Sequence, residues 1–192
     1  SIGGAHLLGW RKKWFLICPR NQLLFHAGVC KTLIRRMIGY ALSCLPQLWG
    51  LNGFSYMEMN IAIRVDASAK IGTGHMMRCL TLAIELKRCG IKVRFLCRHI
   101  PEHLITAIIS ADCELKLLDH HSALTEAMDS DWFGVSQATD AQDTINAMSD
   151  KTWDWLVVDN YALDSDWEYK LHKKVQNIFV IDDLAYRQHD CD

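Results

Sequence analysis

The chain of 192 residues carries eight cysteines but no pair at CxxC spacing, which excludes a zinc ribbon and a redox dithiol. Cys79, Cys89 and Cys97 lie within or beside apolar runs, where a thiol behaves as a small buried hydrophobe. Reduced thiols in a cytoplasmic protein are the expected state. Internal repeats and low-complexity runs are lacking too, which rules out a repeat array. With half the residues hydrophobic and 22% charged, wholesale disorder is excluded as well.

Acidic residues are nearly missing from the first 58 positions. Seven Lys/Arg stand there against Glu58 alone, leaving 14 basic and 21 acidic residues for 59–192. The two parts read as different material. Met37 to Met57 is free of charge and follows basic residues, a superficial match to a signal anchor. Pro46, Gln47, Asn52 and three glycines interrupt it, so no membrane segment is expected. The chain starts at Ser1 rather than Met. The native protein is expected to begin near Met57 or Met59, with 1–58 an extension of doubtful status, a translated leader.

From Met59 onward apolar runs alternate with helical patterns. Strands are expected at Asn60–Asp66, Ile91–Cys97, Cys113–Leu118, Trp155–Asp159 and Ile178–Ile181. Helices are expected at His75–Cys89, stopped by Gly90, from Pro101 to about Ser110, over Thr139–Asp150, and from a cap at Asp164 or Ser165 to Val175. Asp119 to Ala138 reads as an irregular connection. This alternation implies crossover units and a mainly parallel sheet in an α/β, Rossmann-like domain over 59–192. Ligands of such sheets lie beyond the carboxyl ends of the strands. That rule gathers Asp66 and Ser68, Arg98 and His99, Asp159, Asn160 and Tyr161, and Asp182 and Asp183 on one rim.

The junction after the first strand carries most of the chemistry. Arg64-Val-Asp66-Ala-Ser68-Ala-Lys-Ile71-Gly72-Thr-Gly74-His75-Met-Met-Arg78 is a strand, a glycine loop and a helix start, with a titratable ring at the mouth. Outward N–H groups at a helix start favour an anion and disfavour an imidazolium, so a histidine there tends to stay neutral and able to accept a proton. Met77 stands where a dinucleotide fingerprint needs its third glycine, which argues against an NAD or FAD site. His75 is read as catalytic or ligand-contacting, against a plain helix-start residue. Asp66 is expected to orient His75 and shape the loop, against mere capping. Arg78, one turn on, reaches either the same mouth or a surface carboxylate. Adjacent His120 and His121 read as exposed loop residues rather than metal ligands, and Trp153, Trp155 and Trp167 as packing residues. The chain stops at Asp192 inside a polar run, and a partial product is the expectation.

Three ordered motifs support a family resemblance over about 59–192. Arg64-x-Asp66-x-Ser68-x-x-Ile71-Gly72-x-Gly74-His75-x-x-Arg78, Trp153-Asp154-x-Leu156-Val157-Val158-Asp159-x-Tyr161 and Asp182-Asp183-x-x-x-x-x-His189-x-Cys191-Asp192 together resemble the N-terminal half of the UDP-2,4-diacetamido-2,4,6-trideoxy-β-L-altropyranose hydrolases of bacterial pseudaminic acid synthesis. The resemblance implies the N-terminal domain of a two-domain fold similar to GT-B glycosyltransferases, with the C-terminal domain, which holds most of the UDP, missing here. It implies His75 as the base that activates water against the anomeric carbon, with no metal and no cofactor. Asp66 is implied near the sugar, and Ser68, Gly72, Gly74, Arg78, Tyr161 and Asp182 complete the expected substrate-binding set. The expected partners are a small-molecule UDP-sugar and the absent domain, with neither nucleic acid nor a membrane among them. A GT-B glycosyltransferase N-terminal domain and a non-catalytic partial product are the alternatives.

Overall fold

A computed structural model describes residues 59–119, 134–183 and 187–192. The leader reading for 1–58 and the loop reading for His120 and His121 lie outside the described residues. Five strands, β1 (Asn60–Val65), β2 (Lys92–Cys97), β3 (Glu114–Leu117), β4 (Trp153–Asp159) and β5 (Val175–Val180), form one sheet in the order β3-β2-β1-β4-β5. Every neighbouring pair is parallel. Among the described residues the helices are α1 (Gly74–Arg88), α2 (Glu102–Ser110), α3 (Gln137–Ala147) and α4 (Ser165–Leu171).

Strand periodicity divides the core. Ile61, Ile63 and Val65 point to one face, where they meet Met76, Cys79, Leu82, Ala83 and Leu86 of α1 and Leu104 and Ile108 of α2. Ala62, Leu156 and Val158 point to the other, against Ala141 and Ala147 of α3 and Trp167 and Leu171 of α4. Each helix buries one apolar stripe, and the central strands, covered on both faces, are near-continuous hydrophobic runs. Arg64 breaks that pattern. Its position in β1 puts it under α3 with no exposure, where Asp140 binds its guanidinium at 2.8 Å.

Local chemistry sets the ends. Ser136 caps α3 by accepting from the Thr139 amide at 3.1 Å, so the helix starts two residues before the expected Thr139. The Asp164 side chain caps α4. That helix was expected to run to Val175 but ends at Leu171. Val175 is instead the first residue of β5, paired with Trp153, because the β-branched and aromatic run that follows is bonded into the sheet. No helix among the described residues is long and apolar enough to cross a membrane.

The order of strands fixes where a ligand fits. The chain runs outward from β1 through β2 to β3, then returns to place β4 on the other side of β1. Beyond the carboxyl ends of β1 and β4, neighbouring loops therefore diverge and leave a crevice at the topological switch point.

Candidate active site

A pocket opens at that switch point, lined by Asp66, Ile71, His75, Asp159, Asn160, Tyr161 and Ala162. The glycine loop forms one side. Gly72 has φ of 83°, a left-handed conformation that L side chains resist, and its amide donates to the Ser68 carbonyl at 2.8 Å. Ser68 also accepts the Ile71 amide on its Oγ at 3.1 Å, so this serine folds the loop. The turn delivers Gly74 and His75 to the start of α1. That start has no acidic residue in its first turn and no side-chain cap from Thr73, so its leading N–H groups keep their capacity for an anion.

Val65 and Asp159 are partners in the β1–β4 register. The register therefore brings the last residue of β4 beside the loop that follows β1. His75 Nδ1 lies 2.6 Å from Asp159 Oδ1. Arg78 Nη2 also lies 2.9 Å from Nδ1, but it donates to the same Asp159 oxygen at the shorter 2.5 Å. A carboxylate only accepts, so in a neutral ring a hydrogen on Nδ1 serves Asp159 and the lone pair falls on Nε2. Among the described residues Nε2 has no hydrogen-bond partner, and the ring keeps 13% of its surface exposed at the pocket. Arg78, on the same helix face, grips Asp159 with Nε and Nη2, both at 2.5 Å. Its Nη1 reaches Asp183 at 3.3 Å. Arg78 thus belongs to the mouth. Burial opposes its charge, yet Asp159 and Asp183 push its pKa higher still. Cys79 donates to Asp159 Oδ2 at 3.4 Å, and burial followed by that negative neighbour raises the thiol well above its ordinary value.

The Tyr161 ring stands edge-on to His75 with centroids 4.5 Å apart, and its hydroxyl donates to Asp183. Burial and Asp183 push the phenol up to about 12, so it remains a donor at neutral pH. The Asp183 carboxyl is held low: burial would raise it, but Tyr161 and Arg78 outweigh burial.

Asp66 does not touch His75. It joins three strand ends instead, accepting the Arg98 amide at 2.7 Å, the His99 amide at 3.0 Å and the Asn160 side-chain amide at 2.9 Å, and pairing with Arg64 at 2.8 Å. The orienting role expected of Asp66 falls to Asp159, which register rather than sequence proximity puts beside the ring. Of the other expected residues, Gly72, Gly74, His75, Arg78 and Tyr161 gather at the mouth. Asp182 is buried against His189 and Arg187, whereas its neighbour Asp183 reaches the mouth. No group of three or more His, Cys, Asp or Glu arranged to hold a metal occurs among the described residues.

Fold and site together define a Rossmann-like α/β domain with a carboxylate–histidine pair at its switch-point crevice. No family model and no curated protein matches the chain. Among solved structures it is similar to a glycosyltransferase from Rickettsia africae ESF-5, with 15% identity and a TM-score of 0.43, over 65% of this chain and 29% of that one. The chain thus matches less than a third of that protein's length.

Proposed function

We propose that this domain is the water-activating half of a nucleotide-sugar hydrolase acting on a UDP-linked 2,4-diacetamido-2,4,6-trideoxy sugar. One observation carries the reading. With its hydrogen on Nδ1 toward Asp159, the His75 ring turns Nε2, which has no hydrogen-bond partner among the described residues, to a pocket beside a helix start that Thr73 does not cap. Water at Nε2 gives up a proton to the ring as its oxygen bonds to the anomeric carbon. The bond between that carbon and the diphosphate oxygen breaks with its electron pair, and UDP leaves as an anion. Asp159 stabilises the imidazolium that forms, and the amides at the start of α1 face the departing charge. The motif resemblance supplies the identity of the sugar, and the second Rossmann-like domain would hold the uridine.

General-base catalysis is worth about 10²–10⁴ in rate. In the intact protein His75→Asn should therefore lower turnover at least about a hundredfold while the far-ultraviolet circular dichroism is unchanged. Wild-type turnover in that variant would remove the reading. The same imidazole can deprotonate an alcohol, so the assay measures free sugar and UDP without an acceptor. Sugar consumed only when an alcohol is supplied would assign glycosyl transfer instead.

A further inference from the structure

The third motif, from Asp182 to Asp192, is not absorbed by the chemistry above. His189 is 2% exposed, and each of its ring nitrogens faces a carboxylate: Nδ1 lies 2.6 Å from Glu168 Oε1 and Nε2 lies 2.9 Å from Asp182 Oδ2. A neutral imidazole has one N–H, so one nitrogen would turn a lone pair on a buried carboxylate. With both carboxylates ionised, only the doubly protonated ring satisfies both. Charge agrees, since Glu168 and Asp182 bring two negative charges and Arg187 with an imidazolium brings two positive ones.

The chain of contacts ends at the pocket. Asp182 also binds Arg187 Nη2 at 3.1 Å. Arg187 Nη1 donates to the carbonyls of Tyr161, Leu163 at 3.2 Å and Asn160 at 3.5 Å, and its guanidinium lies 5.3 Å from the centre of the Tyr161 ring. One side chain thus gathers three carbonyls of the turn that walls the pocket. The Ser165 amide is bonded to the Gln188 carbonyl at 3.1 Å, so the same segment holds the far end of that turn.

We propose that His189 is a positioning residue: a protonated clasp which, through Asp182 and Arg187, fixes the 160–163 turn and with it the Tyr161 ring beside His75. The clasp opens when His189 loses its second proton. Among the described residues the charged groups around it are Glu168 from α4, Asp182 from the end of β5, and Arg187 and Asp190 from the final segment. Asp190 donates its amide to Glu168, while its carboxylate lies 3.6 Å from His172. Burial disfavours the charge on His189, but Glu168 and Asp182 outweigh burial and raise its pKa. The catalytic meaning of the clasp rests on the pocket being the reaction site; the clasp itself does not.

The test is nitrogen NMR of histidine-labelled full chain, with His189 assigned by His189→Gln, together with amide exchange at Ala162, Leu163 and Ser165. Both ring nitrogens of His189 should carry hydrogen at neutral pH. Protection of those three amides, corrected for intrinsic base catalysis, should fall about tenfold as pH rises through the His189 titration, while Ile63 in β1 keeps its protection. A singly protonated ring at neutral pH overturns the proposal. So does protection at 162–165 that ignores the titration. Where His189→Gln does not fold, backbone-to-ring correlations in the wild-type chain assign His189 instead, and the wild-type pH series decides. Neither measurement depends on turnover, so full activity in His75→Asn would end the hydrolase reading and leave the clasp standing.

Discussion

His75 and Asp159 are 84 positions apart in the chain, and their side chains meet at 2.6 Å. The contact follows from a parallel register that sets Val65 opposite Asp159, so the loop after β1 overhangs the tip of β4. A helix-start histidine thereby acquires an acceptor for its Nδ1 hydrogen and a counter-charge for the imidazolium. Asp159→Asn removes that charge but keeps an oxygen that can accept from Nδ1, and Arg78 retains Asp183 at 3.3 Å. Turnover of a UDP-sugar should fall at least about a hundredfold, with a smaller change in KM, because the lost interaction is strongest in the transition state. Steady-state UDP release gives both constants. An unaltered kcat would show that the carboxylate only packs against the ring.

Arg78 offers a separate check on the same corner. It pairs with Asp159 at 2.5 Å and with Asp183 at 3.3 Å, and it is largely withdrawn from solvent. Arg78→Met leaves a buried Asp159 without its cation, which should lower stability by about 3 kcal/mol. Urea unfolding followed by tryptophan fluorescence measures this. A loss below 1 kcal/mol, about what an exposed pair gives, would mean that solvent already screens the contact.

The sequence made β1, the glycine loop and α1 legible, because a β-branched run, positive-φ chemistry and helical spacing coincide there. The strand-tip rule also placed Asp159, Asn160, Tyr161 and Asp183 on the correct rim. Partners were not legible, since register decides them. Asp66 stands in the motif but braces the ends of β1, β2 and β4. Asp140 lies in a helix whose polar pattern conceals it. One signal was available. An arginine in the middle of a buried strand demands an acid, and Asp140 shares the buried stripe of α3 with Thr144 and Ala147.

Asp140 should contribute to the acid limit of stability. It binds Arg64 at 2.8 Å and Arg98 at 2.9 Å, and accepts the Trp167 indole N–H at 3.0 Å. Burial pushes its carboxyl up, but Arg64 and Arg98 outweigh burial and hold it below the ordinary 3.8. A carboxylate with a depressed folded value stabilises above the unfolded value and ceases to do so as pH falls through the folded one. Melting temperature should therefore drop below about pH 4. Asp140→Asn should cost about 3–5 kcal/mol at neutral pH and flatten this acid limb. An acid limb as steep as wild type would assign it to other carboxylates.

His189 should act at the opposite limit. Its folded pKa lies above the ordinary 6.5. A group raised in this way stabilises fully below the unfolded value, and its contribution disappears as pH rises through the folded value. Thermal stability should decline on the alkaline side of 6.5 in wild type and stay level there in His189→Gln. Parallel alkaline declines in both proteins would mean that another group titrates.

The two glycines of the loop separate folding from binding. Gly72 has φ of 83°, so Gly72→Ala should cost about 1–2 kcal/mol through backbone strain alone, although a methyl group there would meet no atom. Gly74 opens α1 in ordinary helical geometry, and a Cβ on it would also stand in open space. Nothing inside the described protein demands a glycine at that position. If the start of α1 seats the departing diphosphate, the demand comes from the ligand. Gly74→Ala should then keep its stability within about 0.5 kcal/mol, yet raise KM for the UDP-sugar about tenfold, a loss of about 1.4 kcal/mol in binding. Chemical denaturation and initial-rate kinetics on the same preparations read the two effects independently. An unchanged KM would move the anion away from this helix start.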